Sequence, residues 1–409
     1  MTSNQIAQSE NLKNRANATV DARRDELISL STTIHSNPEI AFHEFKSSAL
    51  LCDTLEHAGF AVTRGVGGLA TAFRAEAYGI GDGPTIALLA EYDALPELGH
   101  ACGHNIMAAA AIGAGIAAQS VLAELPGRVV VIGTPAEEGG GGKVTLVEKG
   151  IFNDVDAAMI VHPSGRTIVV RGSLASTRLF LEFRGRAAHA AAAPEDGINA
   201  LEAVILTFNN VNALRLHLRS DARVHGIITS GGTAANIIPD YAAAQFSVRA
   251  AKQGYAQQVL RRVIQCAEAG AAATGATLKY STNPSYAELV PNMTLAQAFT
   301  ENWESIGVHV HEPRPFERGG STDMGNVSQI VPAIHAYIKI VGEGVGGHTI
   351  EFCQASISPM GHEGLIHAAK GMAMTAIDLL SNSELMARVK KEFDETVEKQ
   401  QIERLGRFE

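Results

Sequence analysis

Apolar residues along this chain come in two textures. Between residues 84 and 164 they form short unbroken runs, "PTIALLAEYD" (84–93), "GRVVVIGTPAEE" (127–138) and "DAAMIVHPS" (156–164), without the alternation of a half-exposed strand. Strands buried on both faces read this way, so the runs predict a parallel sheet. Helix-like stretches at 105–124 and 142–151 separate them, as crossover helices would. Upstream, residues 21–60 carry helical periodicity, and "KSSALLCDTLEHAGF" stops at Gly59 as a helix C-terminus should. The runs end on polar side chains: Asp93, the pair Glu137 and Glu138, and His162. Ligands of open α/β sheets bind beyond the carboxyl ends of the strands, so these residues predict one shared site.

The second texture begins near residue 174, with "SLASTRLFLEFRGRAAHA", a helical 197–218, "RVHGIITSG", "YAAAQFSVRA", a helical 253–274 and "ATLKYSTNPSY". The order β-α-β-β-α-β is that of a split βαβ, ferredoxin-like unit. After residue 290, "MTLAQAFTENWESIG", "PAIHAYIKI" and "GHEGLIHAAKGMAMTAIDLL" return to the first sheet. The expected architecture is α/β: a domain of mostly parallel sheet from residues 1–173 and 290–409, with a ferredoxin-like α+β domain at 174–289 inserted into it.

Composition narrows the class. A chain of 409 residues exceeds the usual span of one core, in keeping with two domains. Hydrophobic residues at 46% and charged residues at 19% describe a globular protein. With 43 acidic against 33 basic side chains and no basic stripe, a nucleic-acid partner is not expected. The N-terminal "MTSNQIAQSENLKNRAN" has no signal-peptide core, and the alanine-rich 106–118 is too short to span a bilayer. The expectation is a cytoplasmic protein without a membrane partner. Cys52, Cys102, Cys266 and Cys353 are widely spaced, as free thiols in a reducing compartment would be.

The candidate chemistry centres on "GHACGHN" (99–105). By itself Cys102 is most often a small buried apolar residue, and His100 or His104 a hydrogen-bonded imidazole. Glu137, Glu138, His162, and His348 in "EGVGGHTIEF" change the balance, because together they offer thiolate, imidazole and carboxylate donors that divalent transition metals accept. Other motifs fail on local grounds. "GGGGK" lacks the Ser or Thr of a phosphate loop, since Val144 follows Lys143 and Glu137 occupies the earlier glycine position. "GVGGLA" (65–70) precedes strand-like "TAFRAEA" where a dinucleotide site needs a helix. The histidines of "HEGLIH" (362–367) fall about 140° apart round a helix. No G-x-S-x-G elbow occurs. The remaining rival is a cysteine hydrolase using Cys102 and His104, which leaves the paired glutamates without a task.

The segments "LAEYDALPELGHACGHN", "GTPAEEGGGGK", "VHPSG", "GRAAHAAAAPEDGINALEA", "GGTAANIIPD", "GSTDMGNVSQIVPAI" and "GGHTIEF" extend over nearly all the chain. Together they resemble the two-metal amidohydrolase and exopeptidase family of aminoacylases, glutamate carboxypeptidases and auxin-conjugate hydrolases. Similarity is closest to its p-aminobenzoyl-glutamate hydrolase and dipeptidase-like branch. The resemblance implies that Cys102, His104, Glu138, His162 and His348 hold two divalent ions, zinc, with manganese or cobalt as alternatives, and that Cys102 bridges them. It implies Glu137 as general base and Asp93 as the group that orients a metal ligand. His189 would reach into the active site of a partner subunit in a homodimer or higher homo-oligomer, and Asn236 and Arg249 would bind substrate. The inserted domain is then a lid and dimerisation domain. The implied reaction is hydrolysis of the amide bond of a small N-acyl or N-aroyl amino acid or dipeptide by a metal-activated water, with no organic cofactor. The chain departs from the pattern at Glu91, where many relatives carry a metal-binding histidine, and at Asn105, where auxin-conjugate hydrolases have aspartate. A binding protein without catalysis on the same fold is the alternative from another class; it has no use for Glu137 as a base beside the ligand.

Overall fold

The computed structural model describes residues 3–314 and 319–405. The chain forms two compact units, one of Met1–Gly172, Leu289–Gly319 and Asp323–Glu409, the other of Ser173–Glu288 with Gly320–Thr322. The first unit opens with α1 (Ser3–Ala22), α2 (Arg24–Ser36), α3 (Phe45–His57), β1 (Ala61–Arg64), β2 (Phe73–Tyr78) and β3 (Thr85–Ala90). It continues through α4 (His104–Gln119), β4 (Arg128–Gly133), α5 (Gly142–Glu148) and β5 (Ala157–Ser164). The second unit is β6 (Ala175–Arg184), α6 (Ala200–Arg215), β7 (Arg223–Ser230), β8 (Tyr241–Ala250), α7 (Gln253–Thr274) and β9 (Thr277–Thr282). The first unit resumes with α8 (Met293–Ser305), α9 (Met324–Ser328), β10 (Ala333–Lys339), α10 (Ile350–Ala355), α11 (Pro359–Ser381) and α12 (Ser383–Leu405).

Six strands of the first unit lie in the order β1-β2-β4-β3-β5-β10, with β4, β3, β5 and β10 parallel and the β1–β2 edge antiparallel. Two cores explain why the central strands lack alternation. Ile86, Leu88, Val129, Val131, Met159 and Val161 join a core with α4 and α11 on one face. Their neighbours Ala87, Leu89, Val130, Ile132, Ala158 and Ile160 join a second core with Leu146 of α5 and Val327 of α9. Successive strand residues point to opposite faces, so a strand covered on both sides must be apolar throughout. The polar N-terminal stretch is helical, which its overall polarity conceals: Leu12, Ala16 and Val20, four residues apart, are buried in the first core, and α1 packs on α11 and α4.

In the second unit the strands run β7-β8-β6-β9, each antiparallel to its neighbour, the ferredoxin-like order. Strand β6 alternates cleanly: Leu179, Leu181 and Phe183 are buried, while Arg178, Phe180 and Glu182 are exposed. Its buried face packs with α6 and α7, as a sheet covered on one side should.

Candidate metal centre

The order β4-β3-β5 puts the carboxyl ends of three parallel strands side by side. Asp93 follows β3, Glu137 and Glu138 follow β4, and His162 lies within the last residues of β5. Thr134 ties the first two segments together, its N–H and hydroxyl donating to the Ala90 carbonyl at 2.8 and 3.1 Å. Cys102 and His104 arrive at the start of α4 across Gly103, whose φ is +79° and where a Cβ would come 2.7 Å from Pro163 Cγ. Only glycine accommodates both that dihedral and that approach.

Hydrogen bonds fix which imidazole nitrogen is free for a ligand. His104 Nδ1 lies 2.9 Å from the Asp93 carbonyl and 3.0 Å from Asp93 Oδ1, both acceptors, so this nitrogen carries a proton. Nε2 is buried and makes no hydrogen bond, lying 3.3 Å from Glu91 Oε2. The other Asp93 oxygen accepts the Glu138 backbone N–H at 2.9 Å. His162 repeats the logic, with Nδ1 2.6 Å from the Pro163 carbonyl and Nε2 3.3 Å from Cys102 Sγ. His348 has φ +64°, a conformation rare outside glycine. Its N–H donates to the Ala101 carbonyl at 2.8 Å and its Nε2 lies 3.3 Å from Glu138 Oε1. Three donor triads result, Cys102–His104–His162, Cys102–Glu138–His348 and His104–Glu137–Glu138, in each of which the ligand atoms lie within 4.8 Å of one another. The donor set is that of zinc and its borderline neighbours.

The charges here are unbalanced without a cation. Burial, and then the charges of Glu91, Glu138 and Asp323, push the Glu137 carboxyl well above its usual range. Burial and Glu138 raise the Cys102 thiol, the opposite of an activated cysteine nucleophile. Burial and the His104 charge pull His162 down to about 4. For Glu138, burial is outweighed by the hydrogen bond from His348 and the charge of His104, which keep it ionised. A bound cation would favour thiolate, carboxylate and neutral imidazole together, which is what ligands must be.

Sequence reading leaves out Lys143 as anything but a failed phosphate-loop lysine. In the structure its buried Nζ lies 2.6 Å from Glu91 Oε1 and 2.7 Å from Asp323 Oδ1. Its backbone N–H donates to Asp323 Oδ2 at 2.9 Å. Burial alone would lower the lysine's pKa, but Asp323 and Glu91 more than offset it. Glu91 therefore answers to a lysine from the next segment. The remaining candidates lie in the second unit. His189 is exposed and its Nδ1 accepts the N–H groups of Ala191 and Ala192 at 3.3 and 3.2 Å. It forms a β-bridge with Ile237, and the Asn236 carbonyl accepts the Ala190 N–H at 3.0 Å, so His189 and Asn236 are neighbours. Arg249 stands on β8 between Ser176 of β6 and Arg223 of β7, and its Nε donates to Ser247 Oγ, two residues back on its own strand, at 3.4 Å.

Residues 87–382 match the family described as Peptidase family M20/M25/M40. The chain belongs to this family. This M20 chain is 38% identical to the Xaa-Arg dipeptidase of Mus musculus over 411 residues, covering 97% of this chain and 95% of that protein. It is 31% identical to a subunit of the p-aminobenzoyl-glutamate hydrolase of Escherichia coli, covering 93% and 94% of the two chains. Among solved structures, a dinuclear metal-binding peptidase of the M20 family from Bacillus subtilis superposes with a TM-score of 0.67 at 25% identity, over 88% of this chain and 99% of the other. The M20 chain is thus a metal-dependent hydrolase of amide or peptide bonds, built on the family's sheet domain and lid.

Proposed function

We propose that this M20 enzyme cleaves a dipeptide or a small N-acyl or N-aroyl amino acid, with Glu137 as general base beside two divalent ions held by Cys102, His104, Glu138, His162 and His348. The observation that carries the reading is that three overlapping donor triads meet here, Cys102 joining the His104–His162 pair to the Glu138–His348 pair, so these residues would hold two divalent ions side by side. Bound there, zinc, or manganese or cobalt in its place, supplies Lewis acidity and brings the pKa of water towards ~7. Asp93 keeps the His104 proton on Nδ1 and leaves Nε2 as a donor. Glu137 takes the proton of the attacking water and returns one to the departing amine.

The second unit acts as lid and dimerisation domain in a homodimer. His189 donates to the developing oxyanion of the partner's site, while Asn236 and Arg249 hold the substrate. The neighbouring positions of His189 and Asn236, and the exposure of Ile227, Ile228 and Tyr280 on the edge strands β7 and β9, support this part. A cytoplasmic location belongs to the proposal and is supported by four free cysteines. Among the described residues, no helix is long and apolar enough to cross a membrane. The substrate class is supported by relatives named Xaa-Arg dipeptidase and p-aminobenzoyl-glutamate hydrolase.

The test is a hydrolysis assay of Xaa-Arg dipeptides, p-aminobenzoyl-glutamate and N-acetyl amino acids with zinc- or manganese-loaded protein. At least one should be cleaved, chelation should abolish cleavage, and metal should restore it. Metal should also slow alkylation of Cys102. Failure of fully loaded protein on every substrate overturns the reading. Turnover that survives complete metal removal and stops on alkylation returns the assignment to a cysteine hydrolase.

A further inference from the structure

Glu137 sits in a loop with an unusual backbone. The residue before it, Ala136, has φ +62°, a left-handed conformation that a side chain makes unfavourable and that persists only where surrounding structure holds it. The holding group comes from far back in the sequence. Glu44, fully buried at the start of α3, accepts the Ala136 N–H at 3.0 Å through Oε1. The same oxygen accepts the N–H of Phe42, itself left-handed at φ +63°, at 2.9 Å. The second carboxylate oxygen accepts the Thr71 hydroxyl at 2.9 Å, and the Tyr92 hydroxyl donates to the Thr71 carbonyl at 2.5 Å. From the other side, the Ala136 carbonyl accepts the N–H groups of Gly140 and Gly141 at 3.0 and 2.8 Å. The Phe42 ring closes over this turn, so near that a Cβ on Gly140 would lie 2.3 Å from it.

We infer that Glu44 is a positioning residue for the reaction: by gripping Ala136 and Phe42 it locks the loop after β4 and so aims the carboxylate of Glu137. The inference rests on the proposed role of Glu137 as general base. Glu44 has no surface and no substrate to meet. Its carboxylate is spent on two left-handed backbone N–H groups and one hydroxyl, and one of those N–H groups is covalently next to the base. Without the grip Ala136 relaxes toward negative φ, which swings the Glu137 side chain, while Glu138 in the same loop stays held by Asp93 on its N–H and by His348 on its carboxylate, and the ligands on β5, α4 and the loop before α10 stay in place. A shift of about 1 Å at a reacting group costs roughly 10²-fold in rate.

Three substitutions in the zinc-loaded full chain test this. Glu44→Gln keeps an oxygen for both N–H groups and turns its amide toward the Thr71 hydroxyl, which can accept as well as donate. Glu44→Ala removes the grip. Glu44→Asp keeps charge and burial but withdraws the acceptor by one methylene, and it replaces the alanine variant should that fail to fold. Hydrogen exchange of the amides in 134–141 should accelerate at least about tenfold in the alanine or aspartate variant, with β3, β4 and zinc content unchanged. On whichever amide the wild type cleaves, kcat should fall roughly 10²-fold with KM within about threefold, and the glutamine variant should recover both readouts. Wild-type exchange in 134–141 overturns the inference. So does a uniform rise in exchange with loss of zinc, which is a merely structural role. Failure of the general-base reading is separate: it shows as full activity in Glu137→Gln, and the exchange measurement still decides whether Glu44 holds the loop.

Discussion

At Asp93 a single carboxylate organises two parts of the centre, one oxygen meeting His104 Nδ1 and the other taking the Glu138 N–H. Glu137 and Glu138 are adjacent in sequence yet face opposite electrostatics, the first crowded by Glu91 and Asp323, the second paired with His348. Separation of paired carboxylates in this way is how one site obtains both a base and a ligand. Glu137→Gln should therefore keep full metal occupancy by elemental analysis while turnover drops roughly 10²-fold to 10⁴-fold, the usual worth of a positioned base. Near-normal turnover would remove Glu137 from that role. The identities of these residues were readable because carboxylates and histidines at the ends of apolar runs are conspicuous. Lys143 was not readable, since a lysine in "GGGGKV" carries no mark of a partner at Asp323, 180 residues away.

At the scale of elements, the centre depends on how closely α4 can start against β5. Gly103 is the contact, with Pro163 where a side chain would go. Gly113 and Gly115 do the same further along, against Leu27 of α2 and Val131 of β4, which lets an almost wholly buried helix lie between α2 and the sheet. Gly103→Ala should destabilise the protein by about 1–3 kcal/mol, from a left-handed dihedral and overpacking combined. It should also weaken zinc binding, because the strain falls between two proposed ligands, Cys102 and His104. Thermal unfolding with and without zinc, set beside zinc titration, measures both effects. Gly254→Ala, in the first turn of α7 where the structure has open space, should leave zinc affinity unchanged and raise stability by no more than about 1 kcal/mol. Equal zinc affinity in Gly103→Ala and wild type would dissociate this contact from the centre.

For the whole molecule, the proposed role of His189 makes the complete site a property of two subunits. If His189 serves a partner, a hybrid dimer of Glu137→Ala and His189→Ala subunits contains one site with both defects and one with neither. Unfolding and reassembling equal amounts of the two inactive variants should restore about a quarter of wild-type activity, because about half the dimers are hybrids with one intact site each. No recovery, with hybrids confirmed by tagged subunits, would confine His189 to its own subunit or exclude it from catalysis.

The sequence by itself determined the layers of this protein and the chemical types at its centre. Unbroken apolar runs specify strands covered on both faces, period-two alternation in β6 specifies a sheet covered on one, and both patterns are local because burial acts residue by residue. Even α1, polar overall, carries Leu12, Ala16 and Val20 at helical spacing. Tertiary structure alone decided the pairings: Cys102 shared by two triads, Glu91 given to Lys143, and Glu44 set against Ala136. These follow from the strand order β4-β3-β5 and the entry of the chain into α3, which juxtapose segments far apart in the sequence. A pairwise contact between distant residues leaves no periodicity in either segment, so only the folded chain brings it to light.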